Sequence, residues 1–119
     1  MNKFTILVVE DEVLVRLDIA AYLRSAGFRV LEAGNAYEAI QLLGADQTID
    51  LVFSDVSMPG SLNGIDLARW IRHKRKGVHV ILTSGTANNV QLASRDNVVV
   101  PKPYQPRDVE VSIRRLLGN

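Results

Sequence analysis

The chain has 119 residues, of which 47% are hydrophobic and 23% are charged, as is typical of one globular domain with its own core. The formal net charge is +1, so no strong overall field favours nucleic acid, and the lack of cysteine excludes disulfides and thiolate metal sites. Without a signal-peptide pattern or an apolar segment of membrane-spanning length, we expect a cytoplasmic protein with no membrane or direct nucleic-acid partner.

Short apolar runs alternate with segments of helical periodicity along the whole chain. Runs rich in branched apolar residues predict strands, and apolar residues at three- and four-residue spacing predict helices. The predicted strands are 4–9, 29–33, 49–55, 79–83 and 97–100, and the predicted helices are 12–26, 35–43, 65–76, 87–93 and 106–117. Gly27 and Gly44 are expected to end the first two helices. This alternation predicts an α/β fold with a parallel sheet that helices cover on both faces.

Polar side chains follow four of the predicted strands at their carboxyl ends. These are Glu10 and Asp11 (first strand), Asp55 (third), Thr83 and Ser84 (fourth) and Lys102 (fifth). Since parallel strands end at one edge of a sheet, we expect these side chains to converge. Clustered carboxylates repel one another, and a hard divalent cation such as Mg²⁺ or Mn²⁺ would relieve the repulsion. Asp55 could then attack a phosphorus atom, with Thr83 and Lys102 contacting the phosphoryl oxygens.

Over essentially its whole length the chain resembles a receiver domain, the phosphoacceptor module of two-component response regulators. The motifs that carry the resemblance are Glu10-Asp11, Asp55 before Val-Ser-Met-Pro, Thr83 before Ser-Gly, and Lys102 before Pro103. Each motif alone is a weak signal, but all of them in this order at the strand ends make a strong one. The resemblance implies a doubly wound, flavodoxin-like (βα)5 fold with strand order 2-1-3-4-5. We also expect a single receiver domain over residues 1–119, with no output domain.

The resemblance assigns the metal-binding and phosphoacceptor roles. Asp55 would accept the phosphoryl group from a phosphohistidine of a histidine kinase or a histidine phosphotransfer protein. Mg²⁺ would be held by Asp11, Asp55 and the backbone carbonyl of Ser57, with Glu10 acting partly through water. The phosphorylated domain would then switch its contacts with an output protein that the sequence does not identify.

The resemblance also assigns residues around the phosphoryl group. Thr83, Ser84 and Lys102 would bind its oxygens, and the peptide bond before Pro103 is a candidate for the cis form. Ser57 and Gly85 are small, so we expect them to leave the phosphoryl group open to water and the signal to be short-lived.

Three departures from the family pattern affect the surface more than the chemistry. The loop at 58–64 is one residue longer than the commonest form, and the segment from Thr83 to Lys102 is a few residues shorter, which predicts a short fourth helix. Val99 stands three residues before Lys102, where the family usually has an aromatic ring that swings inward on phosphorylation. We therefore expect the phosphoacceptor chemistry to be intact. We expect the way in which phosphorylation is transmitted to the output surface to be unusual.

Leu14 lies off the apolar face of the first predicted helix, close to the acidic pair. A single exposed leucine is ordinary at a protein surface. Our hypothesis is that Leu14, together with Val15, contacts the helices of the phosphodonor protein beside Asp55.

Rival functions lack residues that they need. A phosphatase of the aspartyl-phosphate type places a second aspartate two residues after its nucleophile, where this chain has Ser57. A nucleotide-binding turn needs glycines, whereas Glu10-Asp11-Glu12 would repel a phosphate. We therefore expect a phosphorelay protein that catalyses only its own phosphorylation and dephosphorylation. A receiver segment of a larger hybrid histidine kinase, or a pseudo-receiver that only binds partners, stays an open alternative.

Overall fold

The computed structural model describes residues 3–118, in which five strands and five helices alternate. The strands are β1 (Thr5–Val9), β2 (Arg29–Ala33), β3 (Ile49–Asp55), β4 (His79–Ser84) and β5 (Val98–Pro101). The helices are α1 (Val13–Ser25), α2 (Ala36–Ala45), α3 (Gly64–Lys74), α4 (Ala87–Ala93) and α5 (Pro106–Leu117). The strands form one parallel sheet in the order β2-β1-β3-β4-β5. The predicted fold class and strand order are confirmed.

Helices cover both faces of the sheet, and β3 contributes to a core on each. Leu51 and Phe53 face a core that contains residues of α1 and α5, whereas Val52 faces a core built with α2 and α3. This alternation follows from the two-residue period of a strand. Because both faces are covered, residues 51–53 of β3 are an unbroken apolar run, and Asp55 stands at the carboxyl end of the strand.

The register of the sheet places the strand ends side by side. Asp55 at the end of β3 lies directly opposite Thr83 on β4, and Ser84 lies opposite Pro101 on β5. Val9, the last residue of β1, pairs with Ser54. The segments that leave these strands therefore begin within one small region at the carboxyl edge of the sheet.

The ends of the first two helices differ from each other. Gly27 follows α1 with a φ of +104°, the left-handed conformation expected after a helix. The prediction that Gly44 ends α2 is wrong, because the helix continues through Gly44 to Ala45 and Asp46 is its C-cap. The guanidinium group of Arg75 donates to the carbonyls of Leu43 and Asp46, so a side chain from the end of α3 satisfies acceptors that a glycine cap would otherwise satisfy.

The helix α3 begins with a capping box. The side chain of Asn63 accepts a hydrogen bond from the amide of Asp66, and the Asp66 carboxylate accepts one from the amide of Asn63.

Between residues 3 and 118, no helix is both long enough and apolar enough to cross a lipid bilayer.

Candidate functional site

Three carboxylates meet at the carboxyl edge of the sheet. Glu10 and Asp11 follow β1, Asp55 ends β3, and one oxygen from each lies within 4.8 Å of the others. Glu10 and Asp55 are buried, whereas Asp11 is exposed. The sequence predicted this convergence, because the three residues stand at the ends of two adjacent parallel strands.

Lys102 supplies the positive charge beside this acidic cluster. Its Nζ atom lies 2.7 Å from Asp55 Oδ2 and 3.5 Å from Glu10 Oε1. Burial lowers the pKa of Lys102, but the hydrogen bond and the negative charges of Asp55 and Glu10 together outweigh burial and raise it. One lysine is therefore shared between two carboxylates, so the negative charge of the cluster is only partly balanced.

The crowding of carboxylates shifts the pKa of Glu10. Burial first, and then the negative charge of Asp55, raise the pKa of Glu10 to about 7, although the charge of Lys102 acts in the opposite direction. Within residues 3–118, Glu10 Oε2 is buried and accepts no hydrogen bond. A buried carboxylate oxygen without a donor, next to two further carboxylates, fits a hard divalent cation that takes oxygen ligands.

Thr83 lies beside Asp55 with its hydroxyl unused. The Thr83 side chain is buried, and its Oγ1 atom has no hydrogen-bond partner in the part of the chain that the structure describes. A buried hydroxyl is normally paired, so this one is available to an acceptor that enters the site. Ser84 is also buried, and its Oγ atom accepts a hydrogen bond from the amide of Thr86 just before α4.

The backbone after Asp55 is held by several close contacts. The amide of Ser57 donates to Asp55 Oδ1 over 3.2 Å, and the hydroxyl of Ser54 donates to the Asp55 carbonyl over 2.9 Å. At the first position of α3, a Cβ atom on Gly64 would lie only 2.2 Å from the Asp55 carbonyl oxygen. The hydrogen bond from Ser54 to the Asp55 carbonyl could not be predicted, because nothing in the sequence shows where the Ser54 hydroxyl points.

An open groove of about 480 Å³ borders the site on the α1 and β5 side. It is lined by Glu12, Val15, Gly85, Lys102, Pro103 and Tyr104. The peptide bond between Lys102 and Pro103 is cis. Leu14 lies next to Val15 on α1 with 82% of its surface exposed.

No motif in the sequence pointed to Tyr104 either. Its ring packs edge-to-face against Phe53 of β3, with 5.6 Å between the centroids, so it links the segment after Lys102 to the strand that carries Asp55. Val99, at the position of the usual aromatic ring, packs instead near a small cluster that contains Val56, Leu82 and Ala93.

A family model described as the response regulator receiver domain matches residues 6–114. The chain belongs to this family. The receiver domain is a signalling module of two-component systems and not a classical enzyme, which agrees with the resemblance read from the sequence.

Curated relatives and solved structures agree with this assignment. The transcriptional regulatory protein ResD of Bacillus subtilis is 38% identical over 120 residues, which cover 98% of this chain and 49% of ResD. The chain thus spans about half the length of the curated relatives it matches. The response regulator receiver domain protein of Clostridium thermocellum superposes with a TM-score of 0.89 at 28% identity, covering 97% of this chain and 94% of that one.

A second solved structure contains a bound ligand. The response regulator TrrA of Thermotoga maritima, solved in complex with Mg²⁺-BeF, superposes with a TM-score of 0.85 at 29% identity. The similarity covers 95% of this chain and 98% of the TrrA chain.

Proposed function

We propose that this receiver domain accepts a phosphoryl group on Asp55 from a phosphohistidine, with Mg²⁺ as cofactor, and that phosphorylation switches its contacts with other proteins. The observation that carries the proposal is the convergence of Glu10, Asp11 and Asp55 within 4.8 Å, with Lys102 donating to Asp55. An oxygen of Asp55 would form a bond to phosphorus while the phosphorus–nitrogen bond of the phosphohistidine breaks.

The metal would be held by Asp11, Asp55 and the backbone carbonyl of Ser57, with Glu10 acting partly through water. When bound, Mg²⁺ (or Mn²⁺) supplies positive charge that offsets the charge of the phosphoryl oxygens. The unpaired Glu10 Oε2 and the exposed carboxylate of Asp11 support the assignment. The Mg²⁺-BeF complex of TrrA supports it as well, because beryllofluoride imitates a phosphoryl group.

The remaining polar groups would act on the phosphoryl group itself. The free hydroxyl of Thr83 would donate to one oxygen, and Lys102 would exchange its bond with Asp55 for one with the phosphoryl group. Ser84, directly after Thr83, would contribute to the same binding site. Ser57 and Gly85 are both exposed and small, which supports access of water and a short-lived phosphorylated state.

Leu14 and Val15 would dock the phosphodonor, a histidine kinase or a histidine phosphotransfer protein. Leu14 is the most exposed large apolar side chain in the described residues, and Val15 lines the groove beside Lys102. A Leu14→Arg variant is expected to receive phosphate from its kinase more slowly. A Val111→Arg variant, whose exposed position lies on α5, is the matched control. An unchanged rate of transfer to Leu14→Arg would refute the docking role.

The output of the domain would follow an unusual route. Val99 has no ring to rotate, so a change at Thr83 would be transmitted by movement of the β4–α4 segment and not by an aromatic switch. The output protein is unidentified, and we expect neither direct nucleic-acid binding nor membrane association. Residues 1–119 would form one receiver domain that acts in the cytoplasm, with a receiver segment of a hybrid histidine kinase as the alternative.

The proposal is tested by adding Mg²⁺ with beryllofluoride and measuring thermal unfolding. A ligand present at about 100 times its dissociation constant stabilises the folded form by about 3 kcal/mol, which corresponds to a rise of about 10 °C in Tm for a domain of this size. The rise is expected in the wild type and not in Asp55→Asn. No rise in the wild type, or an equal rise in both proteins, would contradict the proposal.

A further inference from the structure

Arg16 connects α1 to the ends of two strands beside the acidic cluster. Its Nη1 atom donates to the backbone carbonyl of Glu10 over 2.9 Å, and its Nε atom donates to Glu32 Oε1 over 3.3 Å. The Arg16 side chain is only 20% exposed. A fork of donors spanning a carbonyl and a carboxylate is a geometry that arginine provides and lysine does not.

The bond to Glu10 fixes the backbone from which the acidic pair projects. Glu10 is the first residue after β1, and its amide donates to the carbonyl of Ala33 over 3.0 Å. Ala33 thus fixes the amide of Glu10, and Arg16 fixes its carbonyl. Because a peptide unit is planar, fixing the Glu10 carbonyl also fixes the amide of Asp11 and therefore limits where the Asp11 carboxylate can lie.

The guanidinium group has little freedom to move. A Cβ atom on Gly34, at the turn after β2, would lie 3.3 Å from Arg16 Nη1 and 3.2 Å from Glu38 Oε1. The lack of a side chain at Gly34 therefore leaves the space that the guanidinium group uses. On its other side, the guanidinium group is held by its hydrogen bond to Glu32.

We propose that Arg16 is a positioning residue for the divalent cation site, which it organises through the Glu10 carbonyl without binding the ion. The inference rests on the proposed metal site of Glu10, Asp11 and Asp55. Residues that orient ligands in this way typically change metal affinity by about 10- to 100-fold when they are removed.

The direction in which cation affinity changes when Arg16 is removed distinguishes a positioning role from a purely electrostatic one. A positive charge near the acidic cluster repels a cation, so removing it should strengthen cation binding if charge alone mattered. If Arg16 acts by positioning Glu10 and Asp11, removing it should weaken cation binding instead.

Arg24 provides a matched control on the same helix. Its Nη2 atom lies 3.1 Å from Glu32 Oε2 and 3.0 Å from the carbonyl of Val30. Among the contacts of residues 3–118, Arg24 makes no hydrogen bond to Glu10. Substitution of Arg24 therefore removes an ion pair with the same carboxylate, Glu32, and leaves the backbone beside the acidic cluster untouched.

The test uses Mn²⁺ alone, titrated into the purified chain, with the free ion measured by electron paramagnetic resonance. We expect the dissociation constant to rise about tenfold in Arg16→Met and to stay within about twofold of wild type in Arg24→Met. Arg16→Lys, which keeps the charge but not the fork, is expected to weaken binding at least about threefold and serves if Arg16→Met does not fold. Urea denaturation without metal would check that the variants are folded.

Each outcome decides a separate point. Equal or tighter Mn²⁺ binding by the folded Arg16 variants, with normal binding by the wild type, would overturn the positioning role and leave the proposed function standing. Equal weakening in Arg24→Met would overturn it too, since the ion pair with Glu32 would then explain the effect. A wild type that binds no Mn²⁺ would remove the metal site itself and the inference with it.

Discussion

Lys102 Nζ donates to Asp55 Oδ2 over 2.7 Å, and this bond joins the segment after β5 to the tip of β3 across the intervening strand β4. The same ammonium group lies 3.5 Å from Glu10. In the proposed phosphorylation, one carboxylate oxygen of Asp55 would bond to phosphorus, and the phosphoryl oxygens would become new acceptors for Lys102. The lysine therefore links Asp55 to the β5 side of the sheet.

Replacing this lysine should slow phosphorylation more than it harms folding. In Lys102→Met we expect uptake of phosphate from acetyl phosphate to be about 100-fold slower, a typical cost of losing one charged donor to a developing anion. Intact-mass spectrometry over time would measure the rate, with Lys74→Met at the end of α3 as the control. Uptake within about threefold of wild type would show that Lys102 does not assist the reaction.

Glu10 should make the metal-free protein less stable as pH rises. Its pKa is about 7 in the folded chain against an ordinary value of 4.5, so the folded form holds the proton more tightly than the unfolded form. Stability from this group is full below pH 4.5 and is lost as pH rises toward 7, by about 3 kcal/mol at most.

A Glu10→Gln variant isolates this contribution, because glutamine does not titrate. Urea denaturation at about pH 5 and about pH 8 would give the free energy of unfolding of both proteins. We expect the wild type to lose stability relative to Glu10→Gln between these pH values. A relative gain by the wild type would mean that the pKa of Glu10 is not raised by burial and Asp55.

Gly64 should be intolerant of any side chain. A Cβ atom there would lie 2.2 Å from the Asp55 carbonyl oxygen and 2.9 Å from the Val56 Cα, and both are backbone atoms that cannot swing away. We expect Gly64→Ala to lower the free energy of unfolding by about 3 kcal/mol. Gly44→Ala is the control, because no atom lies within 4 Å and alanine favours the helix, so a gain of about 0.5 kcal/mol is expected. Equal effects of the two substitutions in urea denaturation would refute the close approach.

Thr83→Val should separate stability from function. The buried hydroxyl of Thr83 has no partner within residues 3–118, so a methyl group of similar size should be neutral or should stabilise the free protein by about 1 kcal/mol. The same substitution should reduce the stabilisation by Mg²⁺ and beryllofluoride, since it removes the hydroxyl that we propose as donor to the phosphoryl oxygen. Thermal unfolding with and without these ligands measures both effects. A marked loss of stability without ligand would indicate that the hydroxyl is already paired.

The fold was largely predictable because its signals are local. Each strand is a short apolar run, and polar residues follow four of the five at their carboxyl ends. Because parallel strands end at one edge of a sheet, these side chains were expected to converge. The strand order came from the family resemblance, since the order in which strands associate depends on long-range packing. The prediction for Gly44 was wrong because Arg75, distant in sequence, satisfies the last carbonyls of α2.

Two contacts that shape the site could not be predicted from the sequence, because they too depend on long-range packing. The bond from Arg16 to the Glu10 carbonyl depends on how α1 lies against the strand ends. The approach of Gly64 to Asp55 depends on the path of the loop before α3. Neither leaves a periodic pattern or a motif, because one member of each contact is a backbone carbonyl that every residue possesses.

The role of Asp55 as phosphoacceptor is tested most directly by the intact mass of the chain after incubation with Mg²⁺ and acetyl phosphate. We expect a gain of one phosphoryl group in the wild type and no gain in Asp55→Asn, with the adduct lost again once the donor is removed. A phosphoryl group that persists in Asp55→Asn, or a wild type that gains none and also fails to respond to beryllofluoride, would contradict the assignment of Asp55 as the phosphoacceptor.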